Sequence, residues 1–411
     1  MSQNLYLGAD LTPIMTAATS GDLLAVASAV GEVWNAVQVR DFPARAETIA
    51  DQIAAEQPDL VGLQEVSQFI AGNPYQFGQA PEPGVSETID YLAILEGALE
   101  SRGLHYAAVA TTAEFTGQFP ALVDPGTFTL QDVQFTDRDV ILARTDLPTS
   151  QMKLSNVQEQ HFATNVEFSI GGPGETVTFW RGWNSVDVQT RGKEFRLVNT
   201  HLVEDNPISP LFGVVQTFQA MELLAGPANA AMSVVMVGDF NSKADGTGTP
   251  SYSLLVGAGF SDAWSQTHPG EPGYTWGDHP DLRGDPLTVD AQRIDFVLYR
   301  GDLEARAADL VLDPVEDPTS TGPLWPSDHA ALVATLGIHV RPSNPKALAA
   351  PAGRSALDAA LAAALASQPC EWAGTLATPL RGSTAAKAGS PSIATVDLVM
   401  ADLREGLARR Y

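Results

Sequence analysis

Five short runs in this chain combine a buried-strand signature with a polar end. The apolar run 60–63 leads to Glu65, and 195–200 leads to His201. The run 234–237 leads through Gly238 to Asp239 and Asn241, the run 293–298 carries Asp295, and Asp328-His329 opens 330–336. Runs this short, largely apolar and bounded by turn residues, belong in the middle of sheets covered on both faces. A polar side chain at the end of such a strand is delivered on a rigid backbone to the rim of the sheet. A charge is costly there unless it is paired or hydrogen-bonded. Five such ends in one chain therefore constrain fold and chemistry together.

Helical patterns lie between these strands. Ser20 is placed to cap a helix in which Leu23, Leu24, Ala27, Val30, Trp34 and Val37 recur at helical spacing. A second helix follows Pro43, carries Ile49 and Ile53, and stops before Pro58; a third is expected from Ser86 through Ile89, Leu92, Leu95 and Leu99 to Gly103. Phe162, Thr164, Val166, Phe168 and Ile170 alternate with polar neighbours, which predicts a strand with one wet face. Further strands are expected at 177–183 and 195–202, joined by a polar stretch containing Gly192. Numerous strands, interspersed helices and many hairpin-like links predict a layered α/β protein with a largely antiparallel sheet component rather than a strict βαβ repeat.

Charge divides the chain. It holds 23 basic and 49 acidic residues, a formal net charge of −26, and 44% of its residues are hydrophobic, enough for a substantial core. That balance weighs against a protein that grips nucleic-acid phosphates through Lys and Arg clusters, though not against an enzyme that meets phosphate through a bound cation. The last 71 residues, 341–411, reverse the sign with 8 basic and 5 acidic residues. They are Ala-rich, with helical patterns at 355–367 and 395–410, so a catalytic domain over 1–338 and a helical C-terminal extension over 339–411 are expected. Cys370 is the only cysteine, which excludes an internal disulfide, a thiolate zinc site and a CxxC pair. No run reaches the roughly 18–20 apolar residues of a membrane-spanning helix. The chain opens almost directly on strand-like sequence, as if a leader had been removed, so secretion is expected, with the cytoplasm as the alternative.

Taken singly, each polar strand end has a structural explanation. Glu65 could serve an ion pair, His201 a satisfied core position, and the Asp239-Phe-Asn241 spacing an Asx turn. Asp295 within an apolar strand demands a cationic or hydrogen-bonding partner. Jointly, Asp, Glu, Asn and His at five strand ends, with no thiol and no GxSxG elbow, describe an oxygen-rich site flanked by histidines. Hard oxygen ligands select Mg²⁺, Mn²⁺ or Ca²⁺.

The ordered set LQE (63–65), NTHL (199–202), GDFN (238–241), RIDFVL (293–298) and SDH (327–329) resembles the endonuclease/exonuclease/phosphatase superfamily over about residues 1–338. The family's first-strand Asn is similar to Asn4, and Asn35 is the weaker match because it falls in a helical pattern. The resemblance implies a four-layer α/β sandwich, two packed and largely antiparallel mixed sheets flanked by helices, with the site at one end of the sheets. It implies that Glu65 binds a divalent cation, Mg²⁺ with Mn²⁺ or Ca²⁺ as alternatives, with Asn4 and Asp328 as ligands or orienting groups. By the same carry-over Asp239 activates the attacking water and Asn241 donates to the phosphoryl oxygen. His201 and His329 stabilise the charge that develops, Asp295 pairs with His329, and Asp139 supports His201. The activity implied is that of a phosphodiesterase or phosphatase.

The substrate is less legible, because inserted loops choose it. Trp180, Arg181, Trp183, Tyr274, Trp276 and Trp325 are candidates for a cleft or for packing, and Arg138, Arg181, Arg191 and Lys243 are the cations nearest the motifs. Their sparseness favours a small or lipid-linked phosphate ester as partner over a nucleic acid. A nuclease of the same fold and a non-catalytic binding module remain alternatives, and the oligomeric state is left open.

Overall fold

The computed structural model describes residues 1–72, 87–169, 176–206, 211–283, 286–312 and 324–338. The chain begins with β1 (Ser2–Asn4), α1 (Thr12–Ser20), α2 (Leu23–Val39) and α3 (Phe42–Glu56). Next come β2 (Leu60–Gln64), β3 (Gln68–Gly72), β4 (Glu87–Asp90), α4 (Tyr91–Ser101) and two long strands, β5 (Tyr106–Asp124) and β6 (Thr129–Arg144). The middle of the chain forms β7 (Lys153–His161), β8 (Val166–Ser169), β9 (Thr176–Phe179), β10 (Gly182–Thr190), β11 (Lys193–His201) and α5 (Leu211–Ala225). It finishes with β12 (Ser233–Asp239), α6 (Ser251–Gly257), β13 (Ser261–Asp262), α7 (Ala263–Thr267), β14 (Asp295–Arg300), β15 (Leu303–Val311) and β16 (Ala331–Ile338).

Two mixed sheets stack face to face. One has the order β15-β16-β1-β2-β6-β3-β4, with β5 also paired to β6; the other has the order β13-β14-β12-β11-β10-β7. Within these sheets β1–β2 and β11–β12 are the parallel pairs, each closed by a helical crossover, and the remaining pairs are antiparallel. Strand alternation builds the layers. Ile141 points into the seam between the sheets with Val186, Leu197, Val235 and Val297, while Val140 and Leu142 face Ile49, Ile53, Leu95 and Leu99 of α3 and α4. On the far side Val234 and Met236 pack with Leu223 and Leu224 of α5. The four-layer sandwich expected from the sequence is the architecture observed.

The sheets approach closely at Gly62. A Cβ there would stand 2.6 Å from Asn199 Oδ1. In its absence Gln64 Nε2 donates to Asn199 Oδ1 (2.6 Å) and Asn199 Nδ2 to Leu63 O (3.2 Å), so a hydrogen bond ties β2 to β11 through the seam.

Several local expectations are corrected. The helix does not start at Ser20: α1 ends there, and α2 begins at Leu23 because Asp22 is the better cap, accepting from Leu24 N (2.9 Å) and Ala25 N (3.2 Å). Ile89 belongs to edge strand β4, and α4 starts only at Tyr91, capped by Asp90. The alternating run from Phe162 becomes a strand only at Val166, because Glu222 accepts from Ala163 N and Thr164 N and holds that stretch against α5. The run 177–183 is broken at Trp180-Arg181, where Arg181 N donates to Asn165 Oδ1 (2.8 Å). The β5–β6 hairpin was not expected, since its strands mix polar and apolar residues without a clean period. Ser86, Ile170 and the helical patterns at 355–367 and 395–410, with the extension 339–411, lie outside the described residues. Among the described residues no helix is long and apolar enough to cross a membrane.

Candidate active site

The topology gathers the polar strand ends at one edge of the sandwich. In the second sheet His201, Asp239 and Asp295 are neighbours on one rung, because His201 pairs with Asp239 across β11–β12 and Asp239 with Asp295 across β12–β14. From the first sheet Asn4 ends β1, Glu65 follows the last residue of β2, and Asp328-His329 lead into β16. Gly238 (φ 149°) makes the turn of β12 possible, since a Cβ there would strike the carbonyl of Thr200.

Asn4 joins the two sheets. Its Nδ2 donates to Glu65 Oε1 (3.2 Å) and Asp239 Oδ2 (3.1 Å), while its Oδ1 accepts from Tyr6 N (2.8 Å). Glu65 Oε2 accepts from Leu7 N (2.6 Å). The backbone bearing these groups is held by Arg45, which is fully buried and donates to the carbonyls of Leu5 and Tyr6, with its guanidinium 4.9 Å from the Phe42 ring. Ser327 Oγ donates to Asn4 O (2.8 Å) and accepts from His329 N (3.0 Å), which brings the last motif against the first strand.

Asp239 is the hub. Its Oδ1 accepts from Asn241 N (2.9 Å), and its Oδ2 lies 3.5 Å from His201 Nε2 and 3.8 Å from His329 Nε2. The other nitrogen of His329, Nδ1, stands 2.8 Å from Asp295 Oδ2. Asn241 Nδ2 donates to Leu202 O (2.9 Å), and Trp276 Nε1 donates to Asp328 Oδ2 (3.2 Å).

Burial and crowding set the protonation states. Burial raises Asp239 to about 7, with the charge of Asp295 adding to it and His329 opposing. Glu65 is raised to about 7 by burial and by the charges of Asp137 and Asp328. Burial pushes Asp328 up as well. The two imidazoles part company: burial, Arg181 and His329 hold His201 neutral, well below the ordinary histidine range. For His329 burial also acts downward, but Asp295, Asp328 and Asp239 outweigh it and lift the group to about 10.

A divalent cation suits this edge. Ligand atoms of Asp239, Asp295 and His329 lie within 4.8 Å of one another, with His329 Nδ1 engaged with Asp295 Oδ2 (2.8 Å). Glu65 and Asp328, whose carboxyls line the cleft and are raised by burial, could also hold the cation as a hard oxygen set without thiol. Asn4, already donating to two carboxylates, orients them.

Asp139 does not contact His201. Both of its carboxylate oxygens and His201 Nδ1 are buried without a hydrogen-bond partner. Asp139 belongs instead to a group that the sequence reading passed over, Glu114, Asp137 and Asp139 around Arg181. Arg181 Nη1 donates to Asp137 Oδ2 (2.9 Å), and burial drives Glu114 and Asp139 well above the usual carboxylate range. The signal lay in the string Asp137-Arg138-Asp139, whose acids share one face of β6.

These groups open on a cleft of about 420 Å³ lined by Glu65, His201, Asp239, Asn241, Asp328 and His329. Of the aromatic and cationic candidates, Arg181, Lys243 and Trp276 line it. Trp183 is instead core, Trp180 stacks on His161 at 5.3 Å, Trp325 joins an apolar cluster with Leu324, Tyr274 is exposed, and Arg138 pairs with Asp90. The rim adds Asp10, Glu204, Asp205 and Asp278, giving, among the described residues, seven carboxylates against Arg181, Lys243 and His329.

The profile of the Endonuclease/Exonuclease/phosphatase family matches residues 33–329, a span that contains every candidate site residue except Asn4. Comparison with curated protein sequences finds no match. Among solved structures, an endonuclease/exonuclease/phosphatase family protein from Leptotrichia buccalis is similar at 14% identity, 72% of this chain, 93% of that chain and a TM-score of 0.44. A mannosyl-6-phosphatase from Bacteroides thetaiotaomicron is similar at 14% identity, 73% and 92% coverage and 0.44. The human Nocturnin catalytic domain with bound sulfate gives 18% identity, 72% and 86% coverage and 0.41.

Proposed function

The chain belongs to the endonuclease/exonuclease/phosphatase family, whose members hydrolyse phosphate esters, and on that footing we propose that it is a divalent-cation-dependent hydrolase of small or lipid-linked phosphate esters. The observation that carries the reading is the position of Asp239, hydrogen-bonded to Asn4 and Asn241 and within 3.8 Å of both histidines.

In this reading Asp239 takes the proton of the attacking water. A base with a pKa near 7 is half in its working form at neutral pH and still basic enough to accept. His329, kept cationic by Asp295, faces the phosphoryl oxygens and can give a proton to the leaving oxygen. His201 is neutral and donates through Nε2, adding a hydrogen bond without a charge. The second N–H of the Asn241 amide is left for a phosphoryl oxygen. Arg181, pinned by Asp137, offers a guanidinium fork to the same anion. Glu65 and Asp328, oriented by Asn4, would hold the cation. When bound, it offsets negative charge on the ester oxygens and lowers the pKa of water.

The seven carboxylates lining the cleft oppose a long polyanion, which favours a compact ester over DNA or RNA. Hydrolysis of bis(p-nitrophenyl) phosphate with Mg²⁺, against an EDTA control, tests the activity. A panel of plasmid DNA, phospholipids and sugar phosphates tests the substrate, and plasmid nicking abolished by Asp239→Ala would overturn the preference. Absence of any cation-dependent turnover across the panel would leave a binding module.

A further inference from the structure

The active-site cleft shares a wall with a second cavity. Leu11, Met15 and Phe179 line both. Beyond them the second cavity, of about 50 Å³, lies between α1 and α2 on one side and the aromatic face of the β5–β6 hairpin on the other. Every residue lining it is aliphatic, aromatic or methionine. Its one polar atom, Trp34 Nε1, is already bonded to Gln131 Oε1 (3.1 Å). The volume exceeds that of a single water, but a water there would find no partners, and apolar cavities of this kind stay dry and accept apolar guests.

Two features separate this cavity from a packing defect. It adjoins the catalytic cleft across Leu11, Met15 and Phe179 rather than lying apart from it in the core. Its near wall is also adjustable: Leu11, Ile14 and Met15, at the start of α1, are only half-buried, and methionine adapts to irregular contents. The opposite wall is rigid, with Phe115 stacked on Phe179 (4.5 Å) and on Phe119 (6.3 Å).

We infer that this cavity receives the apolar chain (alkyl, acyl or prenyl) of a phosphate ester whose phosphate lies among His201, Asp239 and His329. The inference rests on the hydrolase reading above and names the substrate class of that same site. It also accounts for how a cleft with more carboxylates than cations holds an anionic ester. Chain burial supplies affinity that charge does not, at about fourfold in binding for each methylene removed from water.

The test is a series of p-nitrophenyl alkyl phosphates, methyl, butyl, octyl and dodecyl, assayed singly dispersed with Mg²⁺. In each, water adds its oxygen to phosphorus, the bond to the nitrophenyl oxygen breaks, and p-nitrophenolate leaves with the alkyl phosphate as co-product. KM falls about two- to fourfold per methylene until the cavity is filled, then levels. Val33→Phe and Val30→Phe, two independent ways of filling the cavity, bring the octyl-to-methyl ratio of kcat/KM close to one. A methyl ester that is hydrolysed with KM flat along the series overturns the chain site and leaves the hydrolase standing. Failure of every ester overturns the hydrolase reading instead. Calorimetric titration with dodecyl phosphate and methyl phosphate then judges the cavity alone. Tighter binding of the dodecyl compound with a negative heat-capacity change, lost in Val33→Phe, supports it, and equal binding overturns it.

Discussion

His329 Nδ1 stands 2.8 Å from Asp295 Oδ2, with the two side chains 6% and 0% exposed. An imidazole this deep would ordinarily be neutral, as His201 is. Asp295, with Asp328 and Asp239, holds His329 protonated up to about pH 10. Three buried carboxylates, Asp295 foremost, thus decide which of two histidines brings a positive charge to the site, and the His329–Asp295 pair gives the first prediction.

The folded-state pKa of His329 lies above its unfolded value of 6.5. Its contribution to stability is therefore complete below about pH 6.5, declines as the pH rises, and is gone above about 10. In Asp295→Asn the imidazole loses its partner and this dependence flattens. Urea midpoints at pH 7 and 10.5 check it: the wild type loses more stability across the interval than the variant does. At pH 7 the variant is weaker by less than the roughly 3–5 kcal/mol of a broken buried pair, because His329 can shed its proton. Parallel pH profiles for the two proteins would contradict the assignment.

Glu65 and Asp239 act in the same direction at lower pH. Their folded values of about 7 exceed the unfolded 4.5 and 3.8, so the folded protein binds extra protons between about pH 4 and 7. Stability from these two groups is thus present in acid and falls as the pH climbs through 7. A divalent cation held by Glu65 competes with the proton there. Mg²⁺ therefore raises the melting temperature more at pH 8 than at pH 5.5, and its affinity at pH 6 is about tenfold or more below that at pH 8. A cation-induced shift that is equal at both pH values would show that Glu65 does not hold it.

Arg181 pairs with the buried Asp137, beside Glu114 and Asp139, and opens onto the cleft. Arg181→Ala leaves Asp137, Glu114 and Asp139 without their cation. The expected cost is about 3 kcal/mol, smaller at low pH where the acids are protonated. Arg181→Lys keeps the charge but loses the fork, so it recovers most of the stability while KM for a phosphate ester stays raised. Full recovery of both by lysine would reduce Arg181 to a structural counter-ion.

Gly62 marks the closest approach of the sheets. Gly62→Ala sets a methyl against Asn199 Oδ1 and costs about 1–3 kcal/mol through overpacking. Because Asn199 lies on the strand that ends in His201, turnover per folded molecule drops as well. Unchanged stability in chemical denaturation would contradict the close approach.

The sandwich and most of its site were legible in the sequence because both reside in contiguous strings. The runs ending in Glu65, His201 and Asp239 are central strands, largely apolar, and their polar ends fall on one edge through parallel and antiparallel register. What escaped detection depends on contacts between distant segments. The bond from Asn4 to Asp239 spans 235 positions, and Arg45 supports the β1 exit from a helix whose pattern marks it only as a surface cation. Asp139 was assigned to His201 but lies with Glu114 and Asp137, because the Glu114 bulge in β5 turns that acid inward. The apolar cavity was invisible for the same reason, since α1 and the β5–β6 hairpin meet only in three dimensions.

The account turns on Asp239 as the group that activates water in a cation-dependent reaction. Its most direct test is kcat/KM for bis(p-nitrophenyl) phosphate in Mg²⁺ for the wild type and Asp239→Asn, each with a thermal melt. The prediction is a variant that melts within a few degrees of the wild type and turns over about 10²–10⁴-fold more slowly, beside a wild type silenced by EDTA. An Asp239→Asn protein within tenfold of the wild type, or wild-type turnover indifferent to EDTA, would contradict it.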